Sequence, residues 1–202
     1  MANYEIRSEG ELTFEQENKL IYGYAAVFNK YSNQLRGKMN GQDIVFREII
    51  LPGAFDGLII TQDVVGLYNH DEDSGILARS INGVGSLELK IDDYGLYYSF
   101  NAPDTSLGRD VLESLKRGDI SSSSFAFIVE MGGEKWTKNS DGTYNRTISK
   151  IGKLVDISLV VRPGYKDAVV SMRGLEQIEE IAQQEKIEEL ELYYKSLLKE
   201  LE

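Results

Sequence analysis

The chain contains no cysteine, which excludes disulfides, thiolate metal ligands and a thiol nucleophile. It has a single histidine, His70, so a multi-histidine metal site is excluded as well. The opening Met1-Ala2-Asn3-Tyr4-Glu5-Ile6-Arg7 lacks the basic start and apolar core of a signal peptide. No stretch approaches the ~20 apolar residues of a membrane span. Synthesis in the cytoplasm and no membrane partner are therefore expected. Positive charge is also scarce: 22 Lys and Arg stand against 33 Asp and Glu, for a net charge of −11. That balance argues against nucleic acid as a direct ligand, because phosphate binding needs a basic footprint. The deficit is uneven, since nine Glu and three Lys between Gly174 and Glu202 account for −6 of the −11.

What remains is the composition of a folded domain. At 202 residues, 42% hydrophobic and 27% charged, the chain can build one domain with a sizeable core plus an appendage. Residues 1–173 read mostly as β. Strand-like segments fall at Leu20–Phe28, Asp63–Asn69, Leu87–Ile91, Gly95–Phe100, Phe125–Glu130, Tyr144–Lys150 and Lys153–Val161. Turns are expected at Asp92–Gly95, Asn139–Gly142 and Ile151-Gly152. Helices are fewer, with one expected near Gly53–Leu58 and one over Leu107–Arg117, stopped by Gly118. Tyr31–Gln42 is polar with two glycines and reads as a mobile loop. The expected class is therefore mainly β with peripheral helices (α+β), as a closed or partly closed β-barrel. Beyond Arg173 the composition changes to a Glu-, Leu-, Ile- and Gln-rich segment, which reads as an acidic helical tail over 174–202. Ile187, Leu190, Tyr194, Leu197 and Leu201 recur at spacings of 3, 4, 3 and 4, a stripe suited to packing on its own domain or on a second copy.

Two places carry candidate chemistry. Gly118–Phe127 reads GDISSSSFAF, four serines running into a period-two apolar segment between a helix and a core strand. Such placement is unlike a flexible serine linker, whose flanks stay polar. His70 follows the apolar Val64-Val65-Gly66-Leu67 and opens the acidic turn His70-Asp71-Glu72-Asp73. That turn lacks the spaced oxygen ligands and glycine of a calcium loop, so neither metal nor cofactor is expected. A serine hydrolase built on this chain would have His70 as its only histidine base.

Taken in order, Gly23–Phe28, Phe46–Phe55, Asn69-His70-Asp71, Asp93–Leu96, Ser106–Val111, the serine segment and Leu154–Tyr165 together resemble the prohead (capsid maturation) proteases of tailed bacteriophages. The resemblance covers about Leu20 to Arg173. It implies a serine endopeptidase with a fold similar to herpesvirus assemblin, acting on scaffold and capsid precursors inside the assembling prohead in the host cytoplasm. Its partners would be the major capsid protein and the scaffold precursor, and a homo-oligomer is expected. The family's serine-Phe-Gly/Ala-Phe motif falls on Ser124-Phe125-Ala126-Phe127, which implies Ser124 as nucleophile and His70 as general base. Where the family commonly has Gly-Met or Gln-Met before the serine, this chain has Ser122-Ser123, and these remain alternative nucleophiles. Assemblins orient the base with a second histidine, which this chain lacks, so a carboxylate or a dyad must serve. Asp156 is the first choice, because an unpaired carboxylate within an apolar strand would be costly, and Asp71 the second. Oxyanion donors are expected in the Arg162-Pro163-Gly164 turn or beside Ser124. An alternative is a catalytically weak scaffold or adaptor of head assembly that uses the same fold and the acidic tail.

Overall fold

The computed structural model describes residues 4–161 except 17, 18 and 40. The helical tail expected over 174–202, and the Arg162–Gly164 turn, lie outside the described residues. The chain runs through β1 (Glu5–Glu15), β2 (Leu20–Val27), β3 (Leu35–Met39), β4 (Gln42–Ile50), β5 (Asp63–Tyr68), β6 (Ala78–Ile81) and β7 (Val84–Gly85). It continues through β8 (Glu88–Ile91), β9 (Gly95–Asn101), α1 (Ser106–Arg117), β10 (Ser122–Val129), β11 (Glu134–Lys138), β12 (Tyr144–Ile148) and β13 (Ile151–Val160). Nine strands form a nearly closed, barrel-like sheet in the order β7-β6-β5-β13-β10-β1-β2-β9-β8. The other four form a small sheet, β11-β12-β4-β3. The mainly β class is thus as expected. No helix among the described residues is long and apolar enough to cross a membrane.

Side-chain alternation sets the core. On β10, Phe125 and Phe127 point inward and stack at 4.9 Å, packed with Phe55, Leu154, Ile157 and Leu159 in one apolar cluster. Each such fully buried side chain contributes about 1.5–3 kcal/mol. The helix α1 begins at Thr105, whose side chain accepts a hydrogen bond from the Gly108 N–H at 3.1 Å. It ends at Gly118, whose left-handed φ of 75° returns its N–H to Leu115. Val111 and Leu112 bury the inward face.

Three expectations need correction. Residues 52–61 are successive turns rather than a helix. Gly53 and Gly57 hold φ values of 87° and 77°, which a right-handed α-helix cannot include. Their backbone bonds, Ala54 to Leu51 and Leu58 to Phe55 among them, span three residues. Tyr31–Gln42 is not simply a loop, because Leu35–Met39 forms β3 and pairs antiparallel with β4. Ile151-Gly152 belongs to β13, and the break after β12 falls instead at Ser149-Lys150. Apart from these, β1 gives no periodic apolar signal because it carries charge on its buried side.

That charge forms a buried network. Arg7 donates to Glu5 at 2.7 Å and to both carboxylate oxygens of Glu48. Arg146 donates to Glu5 at 2.5 and 2.7 Å, to Glu48 at 3.2 Å and to Glu134 at 2.5 Å. Glu5, Arg7, Glu48 and Arg146 are all buried. The network joins β1 of the large sheet to β4, β11 and β12 of the small one. Burial alone pushes the Glu5 carboxyl up, but hydrogen bonds and charge from Arg146 and Arg7 outweigh it and hold that carboxyl below its ordinary value. Burial likewise opposes the Arg146 charge, and the surrounding Glu5, Glu48 and Glu134 more than offset it.

Candidate active site

The order β5-β13-β10 within the large sheet builds the site. β13 pairs antiparallel with β10, placing Ser158 opposite Ser124 and Asp156 opposite Ala126. It pairs parallel with β5, placing Asp156 beside Val65 and Leu159 beside Tyr68. Because successive residues alternate faces, Ser124, Asp156 and Ser158 share the face opposite Phe125, Ile157 and Leu159. Small residues at 124, 126 and 158 leave room there for an imidazole. His70 enters that space from the turn two residues beyond β5. β10, which carries Ser124, and β5, which leads to His70, therefore flank the strand that carries Asp156.

The contacts are short and continuous. His70 Nε2 lies 2.6 Å from Ser124 Oγ, and His70 Nδ1 lies 2.6 Å from Asp156 Oδ1. Ser124 is fully buried, Asp156 is 2% exposed and the His70 side chain is 10% exposed. In so little water the polar groups act on one another through a low local dielectric. The arrangement can move a proton from the hydroxyl to the ring while a carboxylate faces the ring's far nitrogen. Among the described residues no group of three or more His, Asp or Glu could hold a metal ion.

Over residues 2–184 the sequence matches the caudovirus prohead serine protease family. The chain belongs to this family. Membership implies a serine peptidase that is associated with phage prohead components within the assembling capsid. No curated protein matches the chain, and no solved structure does.

The other candidate residues of this family member have different surroundings. Ser123 points into the core, where its hydroxyl donates to the Glu11 carbonyl at 2.8 Å and meets the Tyr98 hydroxyl at 2.9 Å. Burial pushes the Tyr98 hydroxyl above its ordinary pKa, so this pair remains neutral. Asp71 is engaged in its own turn, accepting from the Ser74 hydroxyl and from the Asp73 N–H at 3.0 Å. The Ser74 bond, with those from the backbone, holds its carboxyl below the ordinary value. One polar residue of the site escaped the sequence reading. Ser158 donates to Asp156 Oδ1 at 2.6 Å, accepts from the His70 backbone N–H at 3.1 Å and lies 3.2 Å from His70 Nδ1. Its signal was available in the two-residue spacing from Asp156 along an otherwise apolar strand.

Proposed function

We propose that this protein is an endopeptidase that cleaves scaffold or capsid precursors during prohead maturation, with Ser124 as nucleophile, His70 as general base and Asp156 as the group that orients it. The reading is supported by the unbroken line of contacts from Ser124 through His70 to Asp156 in a member of the prohead serine protease family. Ser124 Oγ attacks the scissile carbonyl carbon while its proton passes to His70 Nε2. The C–N bond then breaks, and the same proton goes to the departing amine, leaving an acyl-enzyme. Water gives its proton to His70 and attacks the ester, which restores Ser124 and releases the carboxylic acid. Backbone N–H groups beside Ser124 or within residues 162–164 would hold the oxyanion. The carboxylate of Asp156 stabilises the imidazolium at both stages. The catalytic unit spans residues 1–173, and the acidic tail serves association with a second copy or with the precursor.

A fluorophosphonate probe followed by peptide mass spectrometry tests the assignment. The wild-type chain should be labelled on Ser124 and should cut its cognate capsid precursor, while Ser124→Ala should do neither. Labelling confined to Ser122 or Ser123, or undiminished cutting by Ser124→Ala, would refute it.

A further inference from the structure

We propose that Ser158 is a positioning residue that works with Asp156 to fix the tautomer of His70 and supports its backbone; the idea rests on the catalytic reading of Ser124, His70 and Asp156. A serine hydroxyl has one proton and two acceptor lone pairs. The Ser158 proton is committed to Asp156 Oδ1 at 2.6 Å, because an ionised carboxylate can only accept. Its lone pairs therefore face the His70 backbone N–H at 3.1 Å and His70 Nδ1 at 3.2 Å. Nδ1 in turn faces two acceptors, Asp156 Oδ1 and Ser158 Oγ. A bare Nδ1 would set its lone pair against both, so the ring proton belongs on Nδ1, directed mainly at the nearer Asp156 Oδ1. Nε2 is then bare and 2.6 Å from the Ser124 hydroxyl, the form a general base requires.

The backbone needs the same residue. Asn69 and His70 both adopt left-handed conformations, with φ of 54° and 59°, which costs a non-glycine residue free energy unless its surroundings hold it there. β13 and the residue that follows it do so at three points. Leu159 accepts from the Asn69 N–H at 2.9 Å, Asn69 Oδ1 accepts from the Val161 N–H at 3.2 Å, and Ser158 Oγ accepts from the His70 N–H. Ser158 is fully buried, so water does not readily replace its hydroxyl. A single side chain thus contributes to both the proton position on the ring, beside Asp156, and the turn that delivers the ring.

The lone histidine makes this measurable, because ¹⁵N-histidine labelling gives one pair of ring nitrogens. Under alkaline conditions the wild-type ring should show a protonated Nδ1 and an unprotonated Nε2. In Ser158→Ala both signals should move toward the average of two exchanging tautomers. The kcat for a peptide spanning the precursor cleavage site should fall about tenfold to a hundredfold, the effect of one hydrogen bond among charged groups, with KM little changed. Should the alanine variant unfold, Ser158→Cys keeps a side chain of similar shape with only weak donor and acceptor capacity, and the same two shifts are expected. Unchanged ring signals, or a wild-type kcat, in the folded variant would overturn the proposal. The ring is read without substrate, so continued cutting by Ser124→Ala would sink the catalytic reading separately.

Discussion

Ser124 Oγ lies 2.6 Å from His70 Nε2 although 54 positions separate the two residues in the chain. Neither residue moves freely toward the other. Ser124 is fixed by the β10–β13 register, and His70 by a turn whose polar groups are bonded to β13. The sheet thus holds the pair in place, which under the proposed mechanism removes much of the orientational cost of proton transfer.

Neighbouring serines should separate cleanly by role. Ser123→Ala should retain most of the cleavage rate, because its hydroxyl serves Glu11 and Tyr98 on the core side. It should cost about 1–3 kcal/mol of stability, since the buried Tyr98 hydroxyl loses its partner. Thermal melting alongside a precursor cleavage assay measures both effects.

Asp156→Asn should lower kcat by about 10³–10⁴-fold with the fold retained. An amide can donate to Nδ1 as well as accept from it, and donation stabilises the tautomer with Nε2 protonated. Circular dichroism together with single-turnover cleavage checks the outcome; a loss below tenfold would leave Asp156 a structural acid.

Arg146→Met should destabilise the protein by about 3–5 kcal/mol, because Glu5, Glu48 and Glu134 lose a shared buried cation. Urea midpoints at neutral pH provide the test. The network also predicts an acid dependence. The Glu5 carboxyl is held below its ordinary value in the folded state, so its contribution is complete above about pH 4.3 and is lost as pH falls through the depressed value. Unfolding free energies measured from about pH 6 down to pH 3 should therefore fall less steeply for Glu5→Gln than for the wild type.

Gly23→Ala should destabilise the protein by about 1–3 kcal/mol through overpacking. A Cβ at position 23 would lie 1.9 Å from the Glu11 carbonyl oxygen, so β1 and β2 would have to separate. That carbonyl also anchors Ser123, and fluorophosphonate labelling of Ser124 should slow in parallel with the loss of melting temperature.

Periodicity made much of the sheet legible. β2, β5, β9 and β13 announce themselves through alternating or continuous apolar residues, and α1 through its apolar stripe and Gly118. β1 did not, since Glu5 and Arg7 occupy inward positions that binary patterning reserves for apolar residues. Its partners Glu48 and Arg146 lie 41 and 141 positions away from Arg7 and Glu5 respectively, beyond any local signal. β3 failed for another reason: it is a short polar strand that pairs with β4 alone.

By itself the sequence determined the chemistry that was possible: no thiol, one imidazole, and a serine segment leading into a core strand. The structure alone carries β10 back to Ser122 and so gives Ser123 and Ser124 opposite faces. Only the tertiary structure decided that β13 lies between β10 and β5, and so which carboxylate meets the imidazole. Strand order depends on the summed packing and hydrogen bonding of distant segments, not on local preference. Asp71, adjacent to His70 in the chain, is spent on its own turn, whereas Asp156, 86 positions away, faces the ring at 2.6 Å.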